Sequence, residues 1–204
     1  MAFRAVILDF DGTLGDTSGA ILDAVNKTAE TIGRGPLTES DIAFFRENGA
    51  RAFFKKNKIS VFALPGLISK GRRFFAETKE IRPISGVKDA VVVLKNKGTA
   101  LCLVSSNTKE NINKFLAANG MDGIFTDIVC EKGLFGKGKM IKKVADKLGS
   151  AGAVYVGDET RDGEAARTAG IPFIGVSWGF NSAPSLIAAG AVRVISSPEE
   201  LAEI

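Results

Sequence analysis

The stretch Ala5-Val6-Ile7-Leu8-Asp9-Phe10-Asp11-Gly12-Thr13-Leu14 decides how the rest of the chain is read. Its opening run is short, apolar and rich in β-branched side chains, which suits a strand buried on both faces. The run stops at two carboxylates two residues apart, which could lie together at the strand tip. The glycine after them lets the backbone approach an anion closely, which makes Gly12 a candidate for substrate contact. Open α/β sheets place their ligand sites in the loops that leave the carboxyl ends of parallel strands.

Four further runs have the same character: Ala100 to Val104, Val154 to Val156, Phe173 to Val176 and Val192 to Ile195. Between them lie segments with helical spacing, namely Val87 to Lys97, Lys109 to Asn119, Lys139 to Leu148 and Asp162 to Ala169. Alternating strand and helix predicts an α/β fold, a Rossmann-like parallel sheet covered by helices on both faces. Gly98, Gly120, Gly149 and Gly170 follow the helical segments closely, where a left-handed cap ends a helix. From Gly19 to Arg82 the alternation breaks, with helical patches interrupted at Gly33, Pro36 and Pro65 and no convincing strand. This region reads as an inserted α-helical cap. It holds Phe44, Phe45, Phe53, Phe54, Phe62, Phe74 and Phe75, half of the chain's 14 phenylalanines and enough for a small core of its own. The expected division is a core domain of residues 1–17 and 83–204 and a cap of residues 18–82. Gly15 to Ser18 form the outgoing hinge, and Pro83 and Gly86 mark the return.

A length of 204 residues fits one core domain with a modest inserted unit, and 45% hydrophobic with 25% charged residues is ordinary globular composition. The net charge of +4 attracts anions in general without choosing among them. Eight Lys or Arg lie between Arg46 and Arg73 against the single acid Glu47, a pattern that reads as a solvated face. The phenylalanines there come in pairs suited to helix packing, not interleaved on a basic surface, so no nucleic-acid partner is expected. Asp9 and Asp11 interrupt the first apolar run, so it reads as neither signal peptide nor membrane span. Cys102, inside an apolar run, reads as a buried free thiol and Cys130 is the only other cysteine, which points to a reducing compartment with the cytoplasm as default.

Three more loops carry suggestive polar residues. Ser105-Ser106-Asn107 offers hydroxyl and amide donors after a strand, and Phe135-Gly136-Lys137-Gly138-Lys139 brings a lysine to a helix start. Gly157-Asp158-Glu159-Thr160-Arg161-Asp162 again follows a strand. An acidic pair alone is an ordinary solvated turn, and Asp158 to Asp162 alone could be a helix N-cap. Collected at one sheet edge, the four loops supply a hard oxygen cage for magnesium together with donors for a phosphoryl group.

Taken in order, these four motifs resemble those of the haloacid dehalogenase-like hydrolases, over nearly the whole chain. The helical insertion after the first motif resembles the small cap of the phosphoglycolate phosphatase and β-phosphoglucomutase branch. The resemblance implies a magnesium-dependent phosphatase acting on a small phosphorylated metabolite. Asp9 is then the nucleophile that forms an aspartyl-phosphate, and Asp11 the general acid and base. The ion would be held by Asp9, the Asp11 backbone carbonyl and Asp158. Ser105 and Lys137 would grip the phosphoryl oxygens, with Lys139 a rival for the lysine's role. Asp162 would orient either the metal shell or Lys137, and Asn107 stands beside the site. Trp178 reads as packing.

One departure from the branch is Gly136-Lys137-Gly138-Lys139, where many phosphoglycolate phosphatases have a Lys-Pro pair. It weakens the case for phosphoglycolate as substrate. Dehalogenation and phosphonate cleavage are disfavoured, because those branches do not need a carboxylate where Asp11 stands. A sugar-phosphate mutase would use the same two aspartates, although the chain has no histidine to serve as a cap base. The remaining alternative is a binding protein on a phosphatase fold. In the cap, Asn48-Gly49-Ala50-Arg51 resembles a glycine-led loop that presents an arginine to the substrate's remote anionic group. Gly49 should break the helix there, and Arg51 should set specificity.

Overall fold

The computed structural model describes residues 3–60, 62–76, 81–130 and 136–204. In chain order it begins with β1 (Ala5–Leu8), β2 (Gly15–Asp16), α1 (Ser18–Glu30), α2 (Glu39–Lys56), α3 (Leu64–Ala76) and β3 (Arg82–Pro83). Next come α4 (Val87–Asn96), β4 (Ala100–Ser105), α5 (Lys109–Ala118), β5 (Asp127–Cys130) and α6 (Lys137–Leu148). The chain closes with β6 (Ala153–Gly157), α7 (Thr160–Ala169), β7 (Phe173–Val176), α8 (Ala183–Ala188), β8 (Arg193–Ile195) and α9 (Pro198–Leu201).

Six strands form a parallel sheet in the order β5-β4-β1-β6-β7-β8. Leu8 lies opposite Leu103 on one side and Val156 on the other, so β1 is central. Strand order reverses between β1 and β6, and the connections there leave in opposite directions and open a crevice at the carboxyl ends. Side chains alternate across the sheet. Val6 and Leu8 pack with Val91, Leu94, Ile112 and Leu116 of α4 and α5 on one face. Ala5 and Ile7 pack with Ile141, Val144, Ala166 and Leu186 of α6, α7 and α8 on the other. Each fully buried aliphatic side chain contributes about 1.5–3 kcal/mol. The expected fold is therefore present, and Gly98, Gly120, Gly149 and Gly170 all carry positive φ at the ends of their helices.

Sequence reading missed β5. Asp127-Ile128-Val129-Cys130 is an edge strand whose residues are all half-buried, so it lacks the continuous apolar run of the inner strands. The helices α8 and α9, six and four residues long, are too short for helical periodicity to register.

The helices α1, α2 and α3 form the cap; α1 and α3 pack on each other, while α2 lies against α8 of the core. Where the chain leaves and re-enters the core, β2 and β3 run antiparallel, pairing Gly15 with Pro83 and Asp16 with Arg82. The break at Gly49 is present, with φ 75° and ψ 173° inside α2. The phenylalanine core is thinner than expected. Of the seven, only Phe53 is buried, and Phe62 is 93% exposed. Lys56 Nζ lies 4.1 Å from the Phe44 ring centroid and Lys27 Nζ 5.7 Å from that of Phe74, so these half-buried rings meet lysine ammonium groups instead of packing fully inward. Phe45 meets both Phe53 and the core residue Phe180 edge-on, at centroid distances of 5.9 and 6.4 Å.

Candidate active site

Asp9 is the first residue beyond β1, tied to the sheet by its backbone N–H donating to the Val156 carbonyl at 2.9 Å. Its carboxylate is buried at the crevice. One oxygen accepts from the Phe10 N–H at 2.8 Å, and the other from Lys137 Nζ at 2.6 Å. Lys137 also donates to Asp162 at 2.7 Å, and the second Asp162 oxygen accepts from the Glu159 N–H at 3.0 Å. Lys137 therefore bridges the nucleophile candidate and a fully buried aspartate. Beneath it lies the Tyr155 ring, 5.3 Å from Nζ to centroid. The neighbouring Gly138 explains how the start of α6 comes so close: a Cβ there would meet Thr168 Cβ at 2.7 Å and the Ala165 carbonyl at 3.0 Å.

Asp158 follows β6. Its carboxylate accepts from Thr13 Oγ1 at 3.1 Å and from the Phe180 N–H at 2.8 Å. Gly12, with φ 71°, lies against it, and any Cβ at Gly12 would collide with the Asp158 carboxylate. Trp178 packs against the core and donates to the Thr13 carbonyl at 3.2 Å, which supports Asp158 at one remove.

Asp11 turns the other way, into a cleft of about 460 Å³ between the cap and the core loops. Asn107 Nδ2 donates to both Asp11 oxygens, at 3.1 and 3.3 Å, and Asn107 Oδ1 accepts from Asn111 at 3.1 Å. Ser105, at the end of β4, is fully buried and its Oγ accepts from the Asn107 N–H at 3.0 Å, so the hydroxyl proton is available to another acceptor.

Charge in this crevice is unbalanced. Among the described residues, the carboxylates of Asp9, Asp11, Asp158, Glu159 and Asp162 gather around Lys137 and Arg161, with Arg72 on the cap side of the cleft. Burial pushes the Asp9 carboxyl up to about 7 against the pull of Lys137, and burial raises Asp11 against its bond from Asn107. Asp158 is raised well above the carboxylate range by burial and by Glu159, Asp162 and Asp9. Although burial opposes its charge, Lys137 is held above its ordinary value by Asp162 and Asp9. A divalent cation is what such a donor set fits. Ligand oxygens of Asp9, Asp158 and Asp162 lie within 4.8 Å of one another, all three buried, so this cluster could hold a metal ion.

The structure thus brings Asp9, Asp11, Gly12, Ser105, Asn107, Lys137, Asp158 and Asp162 to one sheet edge. Asp162 joins the carboxylate cluster, whereas the Asp11 side chain faces Asn107. Lys139 is exposed. Phe135 of the lysine motif lies outside the described residues. Arg51 is not brought to the cleft: it is exposed and lines a separate groove with Thr160, Glu164, Arg167 and Ser185.

Sequence reading assigned no role to Arg161. It lines the cleft with Asp11, donates to Glu159 at 2.6 Å, and its Nε is buried with no hydrogen-bond partner among the described residues. An arginine in the first turn of a helix is usually solvated, so only its acidic neighbour two residues back could have signalled otherwise. Asn181, buried after β7, was also missed. It accepts from the Thr160 N–H at 2.9 Å and donates to the carbonyls of Phe45 and Arg46 at 3.0 and 3.1 Å, tying α7 to the cap.

The chain matches the haloacid dehalogenase-like hydrolase family over residues 6–176, a span that includes all four loops. It is a haloacid dehalogenase-like hydrolase. Within the family, this hydrolase is 31% identical over 201 residues to a phosphoglycolate phosphatase of Synechococcus elongatus, covering 97% of this chain and 95% of that one. It is 27% identical to a phosphoglycolate phosphatase of Agrobacterium fabrum, covering 87% of this chain and 82% of the other. A haloacid dehalogenase-like family hydrolase from Streptococcus pneumoniae shares the fold, with a TM-score of 0.80 at 20% identity over 98% of this hydrolase and 96% of that chain. The 31% identity to the Synechococcus enzyme over nearly the full length of both chains places it in the phosphoglycolate phosphatase branch.

Proposed function

We propose that this hydrolase is a magnesium-dependent phosphatase that cleaves a small phosphomonoester through phosphorylation of Asp9. The observation that carries the reading is the buried bridge Asp9–Lys137–Asp162, set beside Asp158, with Asp11 poised separately in the cleft. Relatives named phosphoglycolate phosphatase support a small phosphorylated substrate. Magnesium, held by Asp9, Asp158 and the Asp11 carbonyl, would neutralise charge on the phosphoryl oxygens.

An Asp9 oxygen attacks phosphorus as the ester P–O bond breaks, and the Asp11 carboxyl passes its proton to the departing alcohol oxygen. The raised affinity of half-buried Asp11 for its proton suits that donation, and Asn107 holds the carboxyl in position. Water then attacks the phosphorus of the aspartyl-phosphate while Asp11 takes its proton, releasing inorganic phosphate and restoring Asp9. Lys137, kept charged by Asp162, orients Asp9 and meets the phosphoryl oxygens, and the Ser105 hydroxyl donates to another.

Turnover of p-nitrophenyl phosphate with magnesium tests the reading. Asp9→Asn should lower kcat by about three orders of magnitude or more while the fold is kept, and EDTA should stop the wild-type reaction until magnesium is restored. Asp11→Asn should accumulate one phosphoryl group on Asp9, visible by mass spectrometry, because breakdown needs the base more than formation does. Turnover that survives in Asp9→Asn would exclude the mechanism.

A further inference from the structure

The cleft that holds Asp11 has two unlike walls. The core side is polar, with Asn107, Asn111, Glu159 and Arg161. From the cap come Ile21, Ala24, Val25, Ile68, Gly71, Arg72 and Phe75, of which only Arg72 has a polar side chain. The apolar wall does not end at the cleft. Val25, Ile68 and Gly71 also line a second cavity, of about 340 Å³, inside the cap between α1, α2 and α3. Phe53, Phe54 and Leu67 continue its apolar lining. Gly71 stands where the two cavities adjoin, and among the described residues a Cβ there would find only Thr28 Oγ1, at 3.5 Å.

We propose that the leaving group of the phosphomonoester is an extended apolar alcohol, seated on the α1 and α3 wall and reaching past Gly71 into the cap cavity. This deepens the phosphatase reading and rests on it. With the phosphoryl group at Asp9 and the departing oxygen at Asp11, the remainder of the substrate is directed at the cap. A wall of aliphatic and aromatic side chains rewards apolar area removed from water and offers few partners to hydroxyls or carboxylates. The cleft and the cavity are each of a size that takes a drug-sized ligand, more than a two-carbon acid would fill.

Steady-state kinetics with n-alkyl phosphates from ethyl to octyl, below their micelle concentrations, and with 2-phosphoglycolate decide the matter. Where the chain is buried, kcat/KM should rise about fourfold for each added methylene, and octyl phosphate should exceed 2-phosphoglycolate. A flat series, or a preference for 2-phosphoglycolate, overturns the proposal. In Gly71→Leu the side chain fills the passage, so the octyl-to-ethyl ratio of kcat/KM should fall at least tenfold. If that variant does not fold, Leu67→Gln in the cap cavity should lower the same ratio, and an unchanged ratio counts against the proposal. If no ester turns over, the phosphatase reading fails. Calorimetry then still decides the wall, because n-octylphosphonate should bind more tightly than ethylphosphonate, and equal affinities would remove it.

Discussion

Lys137 and Lys139 are two residues apart in one motif, and sequence alone left both in contention for the phosphoryl group. A helix turns about 100° per residue, so two residues separate them by roughly 200° around α6. Only one can face the sheet edge, and it is Lys137. Lys137→Met leaves Asp9 and Asp162 buried without their counter-charge, a loss worth about 3–5 kcal/mol. Turnover of p-nitrophenyl phosphate should drop by about two orders of magnitude or more. The Tm should fall by roughly 6–20 °C by calorimetry. Lys139→Met should leave both unchanged within error, and comparable losses in the two variants would contradict the assignment. The carboxylates Asp9, Asp11 and Asp158 were legible because each follows an apolar strand. Arg161 was not, since its place in the cleft depends on pairing with Glu159 and on burial that no linear pattern reports.

Among the elements, legibility followed unbroken apolar sequence, which even the partly exposed edge strand β8 keeps at Val194 and Ile195. Inner strands such as β1 and β6 are covered on both faces and announce themselves as apolar runs, whereas β5 at the edge begins with Asp127 and does not. The Lys-Gly sequence at the start of α6, which departs from the branch's common Lys-Pro, has a packing reason in this chain. Gly138 lets α6 lie directly on α7 at Thr168 and Ala165. Gly138→Val should overpack that contact at a cost of about 1–3 kcal/mol, read as a Tm lowered by roughly 2–12 °C. Because Lys137 is the adjacent residue, kcat should suffer more than KM. A Gly138→Val variant that kept the wild-type Tm would show that the two helices can part without penalty.

At the scale of the molecule, the site's surplus of buried negative charge should be felt in overall stability. Magnesium at about one hundred times its dissociation constant should add about 2.7 kcal/mol, a Tm rise of roughly 5–10 °C that EDTA reverses and Asp158→Asn loses. A Tm indifferent to magnesium would mean that the carboxylate cluster does not take up the ion. The presence of a helical cap was legible, but its attachment was not. Asn181 reaches across to two cap carbonyls, and Ser185 Oγ donates to the carbonyls of Arg46 and Glu47 just before the break at Gly49. Asn181→Ala should cost about 1–3 kcal/mol and speed hydrogen exchange of the α2 amides, whereas Arg46→Ala should leave exchange unchanged. All the acceptors on the cap side of this dock are main-chain atoms, so any helix that breaks at the same point can present them, whatever its side chains. Such a hydrolase could therefore exchange or remodel its cap, and with it the molecules it admits, without rebuilding these attachment bonds. Chimaeras that graft a relative's cap at the β2–β3 crossing should keep the catalytic edge and change only what it is offered.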